Sequence, residues 1–229
     1  MEVALFDMKM IVFEKDEQRN QNFTNTKNRL SFLKKFPAID SVNNIEDSNK
    51  INKQHNLNTE YITKHKFKGK LGCNLSHQMI WKEHLENEMD WILILEDDTD
   101  VIVSDSNNFV KIINEIIKYA NKNNNHFVQL ETRNHHLPDQ LKQKKTKVDG
   151  LFQMKPQCGT GAYLINKYAI EYFFQFLPWD KFIDVYTNNI LHIQKLNSLC
   201  LINTIFKTMG AQREIDNNSK YDSIIYRYK

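Results

Sequence analysis

Cysteine, glycine, proline and arginine are all scarce in this 229-residue chain. The three cysteines, Cys73, Cys158 and Cys200, stand far apart, with no CxxC and no Cys/His spacing that closes a tetrahedral zinc site. That excludes a disulfide scaffold and a zinc module, and a reducing compartment is the simplest reading. Six glycines and four prolines exclude collagen and low-complexity linkers. No apolar segment approaches the length of a membrane span. The N-terminus carries Glu2 and Asp7 instead of the basic and continuously apolar regions of a signal peptide. The expectation is a cytoplasmic, soluble protein that meets membrane-linked substrates only peripherally, from the cytosolic side. A dominant charge is missing too: 31 Lys+Arg against 28 Asp+Glu leave +3, too little to argue for a nucleic-acid binder. The basic residues are nearly all lysine and the polar stretches lean on asparagine, which reads as the codon bias of an AT-rich genome, bacterial or viral.

What is present is apolar material, 41% hydrophobic and 11% aromatic, enough for one well-packed domain over residues 1–229 but not comfortably two. Met10–Phe13 reads as a buried first strand, followed by a helix to about Lys35. Pro37 then interrupts the helix. Residues 41–58 read as a solvated loop, and Gly69 to about Glu88 as a long helix. Trp91–Leu95 has no polar alternation and predicts a strand buried on both faces of an α/β sheet. Phe109, Ile112, Ile113, Ile116, Ile117 and Ala120 recur at helical spacing. Residues 126–131 are a further strand candidate, and 132–150 a Lys-rich connection of the kind that covers substrates or stays disordered. Gly159–Ile165 returns to strand, two helices split by Pro178 follow, Leu199–Asn203 is a last strand, and 214–229 a short tail. Strand and helix alternate throughout, which predicts a layered α/β domain with a mostly parallel sheet.

The sharpest feature is the acid that ends the apolar strand: Leu95-Glu96-Asp97-Asp98-Thr99-Asp100. Ligand sites in open α/β sheets form at the carboxyl ends of strands. On an extended chain Glu96, Asp98 and Asp100 would face one way and Asp97 the other. Carboxylates so close raise one another's pKa unless a cation compensates. Hard oxygen ligands in a partly open arrangement suit Mg²⁺ or Mn²⁺. A bland alternative is a cluster that caps the next helix in solvent. The acid also pairs with the lysines of 142–147 in an expectation of a metal site facing a basic loop.

Gly72-Cys73-Asn74-Leu75-Ser76-His77, then Trp81, then Trp91-Ile92-Leu93-Ile94-Leu95-Glu96-Asp97-Asp98 resembles the GCxxSH...W...LILEDD signature of glycosyltransferase family 25. That family includes bacterial lipooligosaccharide galactosyltransferases and collagen galactosyltransferases. Ile11-Val12-Phe13 through Arg19 is similar to its INLxxxxxR element, with Val12 in place of the family's Asn. Phe36-Pro37-Ala38-Ile39-Asp40 resembles its A-x-D step, Gly159–Ile165 its GTxAYLI strand, and Pro178 with Ile183-Asp184 its P...iD element.

The resemblance implies a GT-A type, Rossmann-like fold that binds a nucleotide sugar, with a DxD-like motif holding Mn²⁺ (or Mg²⁺) on the donor diphosphate. Asp98, shared by Glu96-x-Asp98 and Asp98-x-Asp100, is the first metal ligand to expect. Glu96 and Asp97 would contact the metal shell or the ribose, and Asp100 would give outer support. Gly72, Ser76 and His77 are candidate donor contacts. Ser76 and His77, adjacent on a helix, cannot pair as nucleophile and base, and structural roles stand beside the donor-binding ones. Asp184 is the candidate base, Glu131 the second. The activity implied is an inverting transfer of a hexose, galactose or glucose, from a UDP-sugar to a glycan, lipid-linked saccharide or protein acceptor. The alternatives are a metal-dependent phosphoesterase and a catalytically silent relative that binds a glycan or protein.

Overall fold

The computed structural model describes residues 3–103, 105–130, 144–148, 150–153, 159–185, 187, 196–201 and 205–208. In chain order its elements are β1 (Phe6–Val12), α1 (Glu17–Arg29), β2 (Lys34–Pro37), α2 (Ile45–His55), α3 (Glu60–Thr63), a 3-10 turn (His65–Phe67), α4 (Lys68–Leu85), β3 (Trp91–Glu96) and β4 (Thr99–Val101). Then follow α5 (Ser106–Lys122), β5 (Phe127–Gln129), β6 (Lys144–Lys145), β7 (Leu151–Gln153), β8 (Ala162–Asn166), α6 (Lys167–Phe174), β9 (Ser198–Leu201) and β10 (Phe206–Thr208).

Eight strands form one sheet in the order β2-β1-β3-β8-β5-β9-β7-β6, while β4 and β10 pair separately. β1 runs parallel to both β2 and β3, and β5 parallel to β9. β8 is antiparallel to β3 and β5, and β7 to β9 and β6. Following these pairings, every strand except β8 and β7 points the same way. The sheet is mostly parallel and the class is α/β, as the alternation of elements predicts.

Alternation along the strands builds two cores. Phe6, Met8, Met10 and Val12 of β1 and Trp91, Leu93 and Leu95 of β3 face one side, where Phe109, Ile113, Ile116 and Ile117 of α5 cover them. Ile11, Ile92, Ile94, Tyr163 and Ile165 face the other, against Ile80 and Trp81 of α4 and Ile170 and Phe173 of α6. The five apolar residues of β3 are all at most 1% exposed. At about 1.5–3 kcal/mol for each large aliphatic side chain removed from water, this strand anchors the centre of the molecule.

Several boundaries depart from the sequence reading. The first helix stops at Arg29, not near Lys35, because the chain turns at Leu30 to deliver the edge strand β2. Residues 41–58 contain helix α2 rather than a solvated loop. Its Asn/Ser/Lys composition hid two isoleucines, Ile45 and Ile51, that pack onto the cluster of Leu57, Ile62, Leu71 and Leu75. Within the Lys-rich connection, Lys144–Lys145 is the strand at one edge of the sheet, while β2 forms the other edge. Lys142 lies outside the described residues.

Candidate functional site

β1 and β3 lie side by side, yet the α1 connection to β2 covers one face of the sheet and α4, leading into β3, covers the other. Crossovers that part to opposite faces open a crevice at the carboxyl ends of the strands. A cleft occupies that position, where ligand sites form in open α/β sheets. Ile11 and Phe13 at the end of β1, residues 38–42 after β2, one side of α4, Arg19 of α1 and the acidic turn Glu96–Asp98 line it.

The acidic turn is held from several directions. Glu96 N–H donates to Gly161 O at 2.8 Å and Thr99 Oγ1 to the same carbonyl at 2.7 Å. Asn22 Nδ2 of α1 donates to Asp97 O (2.9 Å) and Thr99 O (3.0 Å). The chain therefore turns at Asp97–Asp98 instead of continuing extended, and the expected alternation of the four carboxylates does not occur. Glu96, Asp97 and Asp98 line the cleft together. Asp100, carried away on β4, meets Arg29 Nη2 at 2.9 Å and lies outside the lining.

Asp97 is 3% exposed. Its Oδ1 accepts from Arg19 Nη1 and its Oδ2 from the Phe13 N–H at 2.7 Å. Burial pushes its carboxyl up to about 6, against the opposing pull of the Arg19 guanidinium and the Phe13 N–H. At neutral pH it is ionised and both oxygens are engaged in holding β1 and α1 to the turn. Asp40, on the opposite wall, is held below the ordinary carboxylate range: burial acts upward, and Lys15 Nζ at 2.7 Å together with Asn43 outweighs it.

Glu96 is fixed by a buried chain that unites three separate stretches of sequence. Trp81 Nε1–H donates to Tyr163 Oη at 3.0 Å, and Tyr163 Oη lies 2.7 Å from His77 Nδ1. His77 Nε2 lies 3.2 Å from Glu96 Oε1. A carboxylate only accepts, so His77 Nε2–H donates to Glu96, and in the neutral imidazole Nδ1 accepts from the Tyr163 hydroxyl. Burial pushes the Tyr163 phenol well above its ordinary value, which keeps that proton in place. Thr160 Oγ1 donates to the same Glu96 oxygen at 2.5 Å. Burial raises the Glu96 pKa, but the His77 and Thr160 bonds and the Arg19 charge outweigh it, and the carboxyl titrates below its ordinary value. Oε1 takes both bonds, and Glu96 remains 27% exposed in the cleft wall.

Gly72 and Ser76 build the opposite wall. A Cβ on Gly72 would stand 2.4 Å from Ile39 O and 2.6 Å from Ser41 Oγ, so only glycine allows the loop after β2 to lie against α4. Ser76 Oγ donates to Gly72 O (2.7 Å) and accepts from the Ile39 N–H (2.9 Å). Gly159, with φ of 138°, occupies backbone space that favours glycine just before Thr160.

Asp184 lies half-buried on a helical stretch at residues 183–185 that is tied to α4. Asn74 Oδ1 accepts from the Ile183 N–H (2.8 Å) and Asn74 Nδ2 donates to Lys181 O (3.1 Å). Asp184 is not in the cleft lining. It is close enough, however, that its charge joins burial, Glu96, Asp98 and Asp97 in pushing the Cys73 thiol well above its ordinary value. Glu131 lies outside the described residues. Sequence reading picked out the motifs without seeing that Arg19, Thr160 and Tyr163 belong to the same site. The one available signal was the shared order of the Arg19, His77, Glu96 and Thr160-to-Tyr163 motifs along the chain.

Cys73, His77 and Glu96 offer ligand atoms within 4.8 Å of one another. Both imidazole nitrogens are already engaged, with Tyr163 and Glu96, so the trio would have to release His77 from one of them to ligate a metal. Two carboxylates, Glu96 and Asp98, on an open cleft match a hard cation that completes its shell with ligand phosphates and water.

A sequence profile described as "Glycosyltransferase family 25 (LPS biosynthesis protein)" matches residues 7–187. That span includes every residue lining the cleft, and Asp184. No curated protein sequence matches this chain. Among solved structures, mouse xyloside xylosyltransferase 1 in its apo form is similar, with 8% sequence identity and a TM-score of 0.39 over 84% of this chain and 83% of that one. No helix among the described residues is long and apolar enough to cross a membrane.

Proposed function

The chain belongs to glycosyltransferase family 25 and is a glycosyltransferase, and from that premise we propose that it moves a hexose from a UDP-sugar to a glycan acceptor with the help of Mn²⁺ or Mg²⁺. The observation that carries this reading is the cleft at the carboxyl ends of β1, β2 and β3, where Glu96 and Asp98 stand beside the guanidinium of Arg19. Galactose and glucose are the first sugars to try. The acceptor class follows from the family's printed association with lipopolysaccharide synthesis: a lipid-linked or free saccharide.

Within this reading Asp98 and Glu96 hold the cation. When bound, it would neutralise charge that develops on the departing nucleoside diphosphate. Asp97, with both oxygens occupied, supports the turn rather than the donor. Asp100 has its own arginine. Arg19 adds fixed positive potential to the same wall. His77, Tyr163 and Thr160 keep one Glu96 oxygen in place, so that the carboxylate enters the reaction preorganised. Gly72 and Ser76 shape the wall and would touch the donor through backbone at most. Asp184 takes the acceptor hydroxyl's proton, which requires the acceptor to arrive from the α4 and 181–184 side.

The test is thermal stabilisation and donor hydrolysis across a panel of nucleotide sugars, with and without Mn²⁺. The expected result is metal-dependent stabilisation by a UDP-hexose, lost in Asp98→Asn and retained in Asp100→Asn. Stabilisation that ignores the metal, or that survives Asp98→Asn unchanged, rules the assignment out.

A further inference from the structure

A second feature adjoins the cleft on the side of Asp184. Residues 60–70 hold four lysines, Lys64, Lys66, Lys68 and Lys70, and one carboxylate, Glu60. None of the four lysines takes part in the salt bridges found among the described residues. The first turn of α4 has no acidic residue to offset them. A run of lysines on a solvated face usually splays its ammonium groups into water. Here three aromatic rings gather Lys64, Lys66 and Lys70.

Tyr61 and Phe67 pack with ring centroids 5.1 Å apart, and Phe67 and Phe182 at 5.3 Å. Lys64 Nζ lies 5.4 Å from the Tyr61 centroid, Lys66 Nζ 5.0 Å from Phe67, and Lys70 Nζ 3.8 Å from Phe182 and 5.8 Å from Phe67. Cations resting on ring faces are partly ordered before any partner arrives, which lowers the entropic cost of binding an anion. Tyr61 remains 48% exposed, leaving apolar ring surface beside the cations.

The position connects this surface to the reaction. Gly69, between Lys68 and Lys70, lines the cleft, and so do Gly72 and Cys73 within the next turn of α4. Phe182 belongs to the segment that carries Asp184 and is tethered to α4 through Asn74. The patch therefore joins the two elements between which an acceptor must enter if Asp184 is to reach its hydroxyl.

We propose that the Tyr61, Phe67, Phe182 and Lys64, Lys66, Lys70 surface is an acceptor subsite that selects saccharides bearing an anionic substituent, a phosphate or carboxylate. The inference rests on the glycosyltransferase reading of the cleft and adds the chemical class of the acceptor. Lysine supplies point charges suited to a phosphate or carboxylate without demanding one geometry, and the exposed tyrosine ring supplies a face for the sugar itself. A lipid surface would also answer to charge, but it gains nothing from a patch set at the cleft rim.

The test compares a fluorescent phosphorylated maltooligosaccharide with its phosphatase-treated twin and with phosphatidylglycerol vesicles, at low and high salt. The proteins are the unmodified chain, the triple variant Lys64→Gln/Lys66→Gln/Lys70→Gln, and a control, Lys111→Gln/Lys118→Gln/Lys122→Gln, that removes equal charge from α5. The unmodified chain and the control should bind the phosphorylated sugar about tenfold more tightly than its neutral twin at low salt, with the preference fading as salt screens it. The triple variant should lose the preference while its thermal stability and UDP-hexose stabilisation stay unchanged. An unmodified chain with no preference, a preference that survives in the triple variant, equal loss in the control, or binding to vesicles but not to the phosphorylated sugar overturns the inference. A phosphate preference lost only in the triple variant, in a chain that no UDP-hexose stabilises, upholds the anionic-saccharide site and refutes the donor reading.

Discussion

Asp97 and Asp98 are neighbours in sequence and opposites in task. Asp97 is buried against Arg19, which is itself 8% exposed, and its loss would leave that guanidinium only the Asp16 carboxylate, 3.6 Å from its Nε, as counter-charge. Removing one member of a buried ion pair costs about 3–5 kcal/mol, and the Phe13 N–H would lose its acceptor as well. Asp97→Ala should therefore lower the thermal midpoint by many degrees, whereas Asp98→Asn should leave it nearly unchanged and act on metal-dependent donor binding. Circular dichroism melts of the two variants separate these roles, and equal melts would contradict the distinction. Tyr163 offers a finer dissection. Tyr163→Phe keeps the ring but removes the proton that fixes His77 with its Nε2–H toward Glu96. The expected loss is about 10–100-fold in turnover at saturating donor, the scale seen when the outer partners of a liganding group are removed. Trp81→Phe, which deletes the donor to the tyrosine and shrinks a fully buried ring, should cost stability without a matching loss of turnover. If both variants lose turnover in proportion to stability, the chain from Trp81 to Glu96 is structural only.

At the scale of elements, the cleft depends on a buried amide network behind α4. Asn74 Nδ2 donates to Asn58 Oδ1 at 2.8 Å and Asn58 Nδ2 to Gln78 Oε1 at 2.9 Å and Asn52 Oδ1 at 3.0 Å. These bonds join α2, the segment before α3, α4 and the 181–184 stretch. Asn74→Ala would leave Asn58 Oδ1, Lys181 O and the Ile183 N–H short of a partner, at about 1–3 kcal/mol for each group that water cannot reach. The expected outcome is destabilisation together with faster amide exchange at Ile183, and a fall in turnover if Asp184 is the base. Slow exchange at Ile183 in that variant would show that the tether is not what positions the segment. This network also marks the limit of what the sequence made legible. Strands β1 and β3, helices α4 and α5 and the acidic strand end followed from unbroken apolar runs, helical spacing and concentrated charge. Helix α2 did not, since its buried face is made partly of Ser48 and Asn52, whose burial is tolerable only because Asn44 O and Asn58 complete their bonds. The turn at Asp97–Asp98 was equally hidden: its causes are Arg19, Asn22 and Gly161, far away in sequence.

For the whole molecule, the response to mild acid, above the range in which Asp40 and Glu96 protonate, combines histidines whose pKa the fold lowers, His55 among them, with Asp97, whose pKa it raises. His84 is fully buried behind β3, its Nε2–H donating to Asp90 O at 3.2 Å, and burial lowers its pKa, with that bond and Asp7 acting the other way. Burial also lowers His126, opposed by Asp90 and the Asn166 bond. Both imidazoles bind protons more readily in the unfolded chain, so their contribution to stability is complete above the unfolded value of 6.5 and is lost as pH falls below it. Asp97 works in the opposite sense. Its folded pKa of about 6 stands above its ordinary 3.8, so the folded state takes up the proton first, and stability from this group grows as pH falls from about 6 towards 3.8. The two effects oppose each other below pH 6.5, with the histidines acting first. The thermal midpoint should be flat above 6.5, begin to fall just below it, and fall less steeply once Asp97 protonates. His84→Gln keeps a donor for Asp90 O and removes a titrating group, and its profile should lose part of the initial decline. A His84→Gln melting profile with the same pH dependence as the parent would place the acid sensitivity elsewhere in the fold.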